Sequence, residues 1–249
     1  MPSPRYPVVL KRKRTLSPGT LELTYEREDG GIISYLPGQF FSLDFNLQGE
    51  EKSRSYSAAG RIDDLKQNRE FNFAITAVSN GAASDYFFNA QPGDLIKMSG
   101  PFGALTLPGS DPERYLLIAT GTGVAPYRAM LPELERRMQL NHELQVALVM
   151  GVRTPEELIY GEEFIDLANV NPNFSFHACY SREMPELPSA HENAGRVDVL
   201  YERLKPHPEK DWVYLCGNPD MVDDSVAWFT ERAFTAKNLK REKYKFSTF

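Results

Sequence analysis

The apolar and polar positions follow two different patterns along the chain, and the change comes near residue 108. Before that point, short segments alternate apolar and polar residues, as in 20–26, 40–45 and 71–78. A period of two is typical of β-strands that bury one face. Glycine-containing turn dipeptides separate these segments, which favours an antiparallel barrel over residues 1–108.

After residue 108, strand-like segments, the first of them short and fully apolar, alternate with helical ones. The predicted strands are 115–119, 144–150, 174–180 and 212–216. The predicted helices are 126–139, 162–169, 197–204 and 219–236, and one more helix is predicted before residue 108, at 83–89. Alternating strands and helices indicate a parallel sheet covered on both faces. We therefore predict a two-domain β + α/β protein, with an antiparallel β-barrel at 1–108, a parallel-sheet α/β domain at 109–249, and a linker near 107–111.

Composition narrows the class of protein. The chain has 249 residues, 41% of them hydrophobic, which is sufficient for two packed cores. No apolar stretch reaches the roughly 20 residues of a membrane span, and the N-terminus lacks the apolar core of a signal peptide. Two cysteines exclude a disulfide framework and cannot hold an iron–sulfur cluster alone. We expect a cytoplasmic, monomeric protein.

Charge is distributed unevenly. Residues 1–108 carry 12 Lys+Arg and 12 Asp+Glu, so the net charge of −6 arises in the remainder of the chain. An acidic surface disfavours nucleic-acid binding, which depends on neutralising phosphates. One basic run, Lys11-Arg12-Lys13-Arg14, has two interpretations: a solvated strand edge that resists pairing, or a docking patch for an acidic partner. The four histidines lack the spacing of a metal site.

A glycine-rich loop follows the first strand of the second half. Its sequence is Gly121-Thr122-Gly123-Val124-Ala125-Pro126. Glycines allow the backbone to approach a pyrophosphate, and the amides of the helix that follows favour an anion. Pro126 suits a first helical turn. An ordinary tight turn is the alternative, because the loop lacks the third glycine of a dinucleotide-binding fingerprint.

The barrel half contains two further candidate sites. In Arg54-Ser55-Tyr56-Ser57 the arginine can bind a phosphate while the tyrosine ring stacks on a planar heterocycle. The alternative is an ordinary strand of alternating exposure, with Arg54 exposed and Tyr56 buried. Gly81-Ala82-Ala83-Ser84 begins the predicted helix and is either an anion site or a capped surface helix.

Together these motifs, in this order, resemble the ferredoxin–NADP reductase superfamily. Five segments carry the resemblance, over about residues 38–220: Arg54-Ser55-Tyr56-Ser57, Gly81-Ala82-Ala83-Ser84, Gly100-Pro101-Phe102-Gly103, Gly121-Thr122-Gly123-Val124-Ala125-Pro126 and Cys216-Gly217-Asn218-Pro219. The resemblance implies that the barrel binds FAD and the α/β domain binds NADP(H). No residue by itself separates FAD from FMN.

The resemblance also implies individual roles. Tyr56 is expected to stack on the isoalloxazine and Ser57 to lie near its hydride-accepting nitrogen. Arg54 and Ser84 are expected to hold the flavin phosphates, and Cys216 to position the nicotinamide. The other cofactor-binding positions implied are Ser55, Gly81, Gly121, Thr122, Gly123, Val124, Pro126 and Gly217.

Preference for NADP(H) requires cations near the 2′-phosphate. Arg153 follows the second strand of the α/β half, and Ser181-Arg182 follows the third. The run Ser181-Arg182-Glu183, with Gly195-Arg196 downstream, resembles bacterial NADP-using members. We expect Arg153, Ser181 and Arg182 to bind the phosphate. Arg196 is a weaker candidate because NAD-using relatives also have Gly-Arg there. Ordinary surface ion pairs with nearby glutamates are the alternative.

The C-terminal tail departs from the plant-type pattern, in which a terminal tyrosine stacks on the flavin. Here Tyr244, Phe246 and Phe249 are all available, and Phe249 is the terminal aromatic. We assign Phe249 to the cofactor site. A final strand with buried aromatics is an equal alternative.

The expected activity is hydride transfer from NADPH to FAD and single-electron transfer to a separate ferredoxin or flavodoxin, in a reversible reaction. Within the same fold, the alternatives are the reductase component of an oxygenase and an NAD(P)H:flavin reductase. A non-catalytic subunit that senses nucleotide represents a different class, because fold alone does not determine function.

Overall fold

The computed structural model describes residues 4–62, 68–78 and 81–244. Within it the chain forms two compact units. Of the described residues, one unit contains the chain up to Leu107 and residues Ala125–Pro132, and the other contains Pro108–Val124 and residues 133–244. Among the described residues, none of the helices is both long and apolar enough to cross a bilayer.

The first unit is built on an antiparallel sheet. Its elements are β1 (Arg5–Ser17), β2 (Thr20–Arg27), β3 (Phe40–Leu47), β4 (Glu50–Ser57), β5 (Glu70–Thr76), α1 (Ala82–Asn89) and β6 (Leu95–Phe102). The strand order is β4-β3-β6-β1-β2-β5, and every neighbouring pair is antiparallel. The two outer strands approach through an isolated bridge between Ala58 and Phe73. The sheet therefore curls towards a barrel, as the alternating pattern predicted.

Aromatic side chains fill the core of this unit. Phe41, Phe71 and Phe73 are fully buried, and the Phe41 ring lies 5.3 Å from that of Phe71 and 6.1 Å from that of Phe73. They come from every second position of β3 and β5, because successive strand residues point to opposite faces. The period of two in the sequence is thus the pattern of this core.

The basic run 11–14 lies in the second half of β1. β6 pairs with β1 only over residues 5–9, whereas β2 pairs with it over residues 8–17, so the basic run is paired on the β2 side only. Three of its four residues are exposed, which agrees with the interpretation as a solvated strand edge. Arg12 pairs with Glu70 at 2.8 Å, Arg14 pairs with Glu22 at 2.9 Å, and Lys13 donates to two backbone carbonyls at the end of α1. These cations are neutralised within the unit, which weakens the case for a docking patch.

The second unit contains an entirely parallel sheet. Its strands are β7 (Arg114–Thr120), β8 (Gln145–Val152), β9 (Phe174–Tyr180), β10 (Glu192–Ala194), β11 (Asp211–Gly217) and β12 (Leu239–Lys243). The helices of this half of the chain are α2 (Ala125–Leu140), α3 (Gly161–Val170), α4 (Tyr201–Leu204) and α5 (Pro219–Thr230). The strand order is β10-β9-β8-β7-β11-β12, and all pairs are parallel. The predicted fold class, an antiparallel β unit followed by an α/β unit, is confirmed.

The apolar run at the start of the second unit has a simple explanation. Residues 115–119 of β7 are completely buried, because helices cover both faces of a parallel sheet and leave no polar side. β8 and β7 occupy the middle of the sheet, and β11 lies next to β7; the three parallel strands bring their carboxyl ends to one edge. Ligands of open α/β sheets bind at that edge.

The predicted helix 219–236 is wrong at its C-terminal end, since α5 ends at Thr230. Ala233 adopts a left-handed conformation with φ of 68°, and the Phe234 amide then donates to the Phe229 carbonyl at 3.2 Å. This closure ends the helix and turns the Phe234 ring into the core against Phe229. Helix propensity favoured a longer helix, but burial of the Phe234 ring turns the chain back after Thr230. The short strands β10 and β12 were not predicted.

Candidate cofactor sites

The motif Arg54-Ser55-Tyr56-Ser57 forms the end of β4. Strand alternation places Arg54 and Tyr56 on one face, and Ser55 and Ser57 on the other. The Tyr56 ring meets Phe87 of α1 edge-on, with 5.6 Å between centroids and 89° between planes. One face of β4 thus combines a cation with an aromatic ring held by a buried neighbour.

Burial controls the chemistry of this strand end. It raises the pKa of the Tyr56 phenol, and the nearby Arg54 charge only partly opposes the rise, so the phenol stays neutral at physiological pH. The Arg54 guanidinium donates through Nη1 to the Ser53 carbonyl at 2.7 Å. Ser57 is only 4% exposed.

The N-terminus of α1 is shaped by Gly81. A Cβ there would lie 2.9 Å from the Val78 carbonyl oxygen and 3.0 Å from Ser84 Oγ. Ser84 Oγ accepts a hydrogen bond from the Val78 amide at 2.8 Å, so the hydroxyl orders this turn. Its own proton remains available for a second partner, since a hydroxyl both donates and accepts. Among the described residues no side chain caps α1, and an uncapped helix start offers backbone amides to an anion.

In the second unit the glycine-rich loop is a single 3-10 turn, Gly121–Val124, between β7 and α2. A Cβ on Gly123 would lie 2.3 Å from the Cys216 carbonyl oxygen and 2.8 Å from Gly217 Cα. A Cβ on Gly217, which has φ of 131°, would lie equally close to Thr120. The chain segments after β7 and β11 therefore touch backbone to backbone. Thr122 and Val124 are buried in the turn, and Pro126 is buried in the first turn of α2.

Thr120 is a functional candidate that the motifs did not indicate. Its Oγ1 accepts a hydrogen bond from the Asn218 amide at 2.9 Å, and Asn218 Oδ1 in turn accepts from the Asp220 amide at 2.8 Å and caps α5. The hydroxyl therefore ties the loop after β7 to the start of α5. A threonine immediately before the glycine-rich loop was the only available signal.

Cys216 is fully buried at the end of β11. Burial raises the pKa of its thiol well above the ordinary value; the nearby Glu242 carboxylate raises it further, and a hydrogen bond with the Tyr244 side chain opposes the rise. The Tyr244 amide donates to the Gly217 carbonyl at 2.8 Å. Cys216 is therefore a protonated packing group, which agrees with its interpretation as a positioning residue and not a nucleophile.

Both cysteines are expected to resist thiol reagents in the folded protein. Burial also raises the pKa of Cys179 to about 12, so neither thiolate forms at pH 8. Ellman's reagent should detect no thiol in the native protein and two after denaturation, whereas an exposed Ser110→Cys control should react at once. Each thiol has a higher pKa in the folded protein than in the unfolded chain, where it is about 8.5, so its full contribution to stability is present only below pH ~8.5. The free energy of unfolding should therefore fall as the pH rises above that value.

Three arginines follow the carboxyl ends of β8, β9 and β10. The Arg182 amide donates to the Arg153 carbonyl at 3.0 Å, and the Gly195 amide donates to the Tyr180 carbonyl at 2.9 Å. Ser181 lies between them, with its amide 3.0 Å from the Val152 carbonyl. Consecutive parallel strands thus place Arg153, Ser181, Arg182 and Arg196 at neighbouring positions on one sheet edge. We call these four residues the arginine cluster.

The arginines of this cluster differ in their partners. Glu157 binds the Arg153 guanidinium through Nη2 at 2.5 Å and Nε at 3.0 Å. Arg182 and Arg196 are exposed, and their side chains make no ion pair with any residue in 4–62, 68–78 or 81–244. The surface-pair interpretation therefore holds for Arg153 alone. Phe249, the predicted aromatic of the tail, lies outside the described residues.

Comparison with known proteins agrees with this two-part arrangement. Residues 7–107 match an oxidoreductase FAD-binding domain, and residues 117–227 match an oxidoreductase NAD-binding domain. Ferredoxin–NADP reductase B of Sorangium cellulosum is 33% identical over 215 residues, which cover 84% of this chain and 84% of that protein. The chain belongs to the ferredoxin–NADP reductase superfamily.

Other members of the superfamily are similar along nearly the whole chain. The toluate 1,2-dioxygenase electron transfer component of Pseudomonas putida is 29% identical over 96% of this chain and 67% of its own length. A Neisseria gonorrhoeae ferredoxin NADP+ reductase, solved with FAD and NADP bound, shares the fold with a TM-score of 0.81, at 22% identity and covering 96% of this chain and 98% of that one.

As a member of the ferredoxin–NADP reductase superfamily, the protein is a flavin-dependent oxidoreductase that transfers electrons, with FAD and a pyridine nucleotide as its cofactors. The described residues are chemically suited to both groups. Gly81, Gly123 and Gly217 lack side chains where backbone segments approach closely, and Arg54 and Arg182 carry guanidinium groups of the kind that can bind phosphates.

Proposed function

We propose that the protein is an NADPH-dependent reductase of a ferredoxin or flavodoxin that lies outside these 249 residues. The observation that carries the proposal is the arginine cluster, in which Arg182 has no ion-pair partner among the described residues. A 2′-phosphate distinguishes NADPH from NADH and is recognised by cations of this kind. The similarity to the Sorangium enzyme supports the same assignment.

The chain contributes binding and alignment. When bound, the two cofactors supply hydride transfer and the conversion of a hydride into single electrons. Tyr56 provides a flat neutral ring, and Arg54 and Ser84 provide donors for the flavin phosphates. In the second unit, Gly121–Val124 admits the nucleotide pyrophosphate to backbone amides, and Cys216 holds the nicotinamide by packing. Phe249 remains the proposed aromatic cover of the flavin.

The electron acceptor is proposed to be a separate carrier. An iron–sulfur cluster needs about four thiolate ligands, and this sequence has only Cys179 and Cys216, both buried. Electrons must therefore pass to a group that the chain does not itself hold. The transfer is reversible in principle, and the carrier's reduction potential determines its direction.

Arg182→Ala should decide the nucleotide assignment. The value of kcat/KM for NADPH is expected to fall about tenfold or more, because a charge-assisted hydrogen bond contributes about 1.5–3 kcal/mol. The value of kcat/KM for NADH should change by less than about twofold, because NADH has no 2′-phosphate for Arg182 to bind. Dye reduction by the holoprotein with each nucleotide measures both, and Arg136→Ala, an exposed arginine of α2, controls for net charge.

Equal losses for NADPH and NADH would move the 2′-phosphate site away from Arg182. The acceptor is tested separately, by reducing the holoprotein anaerobically with NADPH and offering ferredoxin, flavodoxin and free flavin in turn. Rapid reoxidation by free flavin alone would indicate a flavin reductase. A purified protein that is colourless and refuses added flavin would favour the non-catalytic class.

One observation favours a second candidate, the NADH-using reductase component of an oxygenase. Glu157 occupies the Arg153 guanidinium, which reduces the positive charge available to a 2′-phosphate. The similarity to the toluate dioxygenase component is consistent with that alternative. Equal efficiency with NADH and NADPH in the wild-type protein would select it.

A further inference from the structure

Glu157 is the acidic side chain in contact with the arginine cluster. Its Oε2 accepts both the Arg153 Nε–H at 3.0 Å and the Arg153 backbone amide at 3.1 Å, and its Oε1 lies 2.5 Å from Nη2. The carboxylate thus engages one edge of the guanidinium together with the main chain. The partners are four positions apart in the chain, and the 3-10 turn Pro155–Glu157 holds them in this geometry.

That arrangement matches the way an arginine binds a phosphate. The Nε and Nη2 edge forms two parallel hydrogen bonds with carboxylates and phosphates alike. While Glu157 occupies this edge, Arg153 can offer a nucleotide only its two Nη1 N–H groups and the second N–H of Nη2. Arg153 and Arg182 carry two positive charges, and the negative charge of Glu157 neutralises one of them in the ligand-free protein.

The carboxylate is charged at neutral pH. Burial alone would raise its pKa, but hydrogen bonds from the Arg153 side chain and amide, together with the charge of Arg182, hold the pKa of Glu157 below its ordinary value. The Arg182 charge acts on Glu157 without a direct ion pair. Glu157 therefore acts electrostatically on both arginines that the proposed function assigns to the 2′-phosphate.

We propose that Glu157 is a specificity-determining residue that limits the preference for 2′-phosphorylated nucleotides, by acting as an internal competitor for Arg153. The inference rests on the proposed function, since it concerns the same phosphate site. It makes Arg182 the principal phosphate ligand and Arg153 a ligand that Glu157 restrains. It also predicts that the wild-type preference for NADPH is moderate.

A merely structural role for Glu157 would have the opposite consequence. If Glu157 served to orient Arg153 for the phosphate, removing its charge would weaken NADPH binding. The geometry points to competition, because the carboxylate occupies the Nε and Nη2 edge that a phosphate would use and neutralises the charge of the guanidinium. Arg153 is also 58% exposed at its side chain, so the guanidinium can turn towards a ligand once released.

The test is Glu157→Gln in the holoprotein, with Glu156→Gln as the matched control. Both variants remove one negative charge from the same 3-10 turn, but Glu156 is exposed and does not pair with Arg153. The ratio of kcat/KM for NADPH to that for NADH should rise about threefold or more in Glu157→Gln and remain unchanged in Glu156→Gln. The rise should shrink at about 0.5 M salt because exposed charges are screened.

Direct binding provides a readout that does not depend on turnover. Calorimetric titration of the holoprotein with 2′-phospho-AMP and with 5′-AMP should show tighter binding of the 2′-phosphate compound alone in Glu157→Gln. A ratio that falls, or one that rises equally in Glu156→Gln, would overturn the inference.

The two proposals fail in different ways. If Arg182→Ala removes the NADPH preference while Glu157→Gln leaves it unchanged, the phosphate site stands and the competitor role is wrong. If Arg182→Ala has no effect on the preference, the site itself is wrong.

Discussion

Gly123→Ala is expected to slow oxidation of NADPH and NADH by at least ~100-fold while the protein retains its flavin. The added Cβ would lie 2.3 Å from the Cys216 carbonyl oxygen and 2.6 Å from its carbon. Backbone atoms cannot rotate away as a side chain can, so the loop and the end of β11 must separate. Displacements of about 1 Å at a reacting centre cost about 100-fold in rate, and overpacking costs a further 1–3 kcal/mol or so of stability.

Stopped-flow reduction of the bound flavin measures this effect, and urea denaturation measures the accompanying loss of stability. Gly109→Ala is the control, because no atom lies within 4 Å of a Cβ at that exposed position. A Gly123→Ala protein that reduces its flavin within about threefold of the wild-type rate would show that this close approach does not shape the nucleotide site.

Tyr56→Ala is expected to leave the purified protein largely without flavin. An aromatic ring buries about 150–250 Å², worth about 4 kcal/mol at 25 cal/mol per Å², and 2.8 kcal/mol already corresponds to a factor of about 100 in affinity. Tyr56→Phe should retain the flavin, since the phenol is neutral and stacking needs only the ring. Absorbance at 450 nm relative to 280 nm measures flavin occupancy, and added FAD measures affinity.

Loss of packing has to be separated from loss of stacking. Tyr86 also meets Phe87 edge-on, at 5.3 Å and 90°, and is also partly buried. Tyr86→Ala therefore removes a similar contact with the same ring. If both alanine variants lose flavin to the same degree, the role of Tyr56 is structural and the flavin lies elsewhere on this unit.

The sequence predicted those elements whose pattern follows from one local rule. Strand β9 lies at 174–180 as predicted, and β7 extends its predicted range by one residue at each end. β7 is uniformly apolar over 115–119, and five of the seven residues of β9 are apolar, in a sheet buried on both faces. Period-two alternation likewise located β2, β3 and β5 to within a few residues. Each case depends on neighbours along the chain and on burial of one or two faces.

Elements that depend on distant contacts were missed or misjudged. The basic run of β1 had two interpretations, a strand edge or a docking patch, and only the fold shows that acids of β2 and β5 pair with Arg14 and Arg12. β12 is short and carries charged residues, and it exists because β11 offers an open edge with a matching register. The end of α5 depends on the packing of the Phe234 ring against the buried Phe229 ring.

The same division applies to the candidate sites. The motifs located Tyr56, Gly123, Cys216 and Arg182 because glycine, aromatic and arginine residues carry recognisable chemistry at fixed spacing. Their roles towards FAD and NADP(H) remain predictions. The contacts of Thr120 with Asn218 and of Tyr244 with Cys216 join residues 98 and 28 positions apart, and no local pattern marks such pairs.

The amino-acid sequence by itself determined the fold class, the family and the classes of cofactor, a flavin and a pyridine nucleotide, because these depend on short-range periodicity and ordered motifs. Only the tertiary structure decided that Glu157 holds Arg153 whereas Arg182 has no ion-pair partner among the described residues, and that the loops after β7 and β11 touch at two glycines. The physical reason is that charge pairing and backbone approach are properties of distance in space. Adjacent parallel strands bring residues together at one sheet edge from segments far apart in the chain.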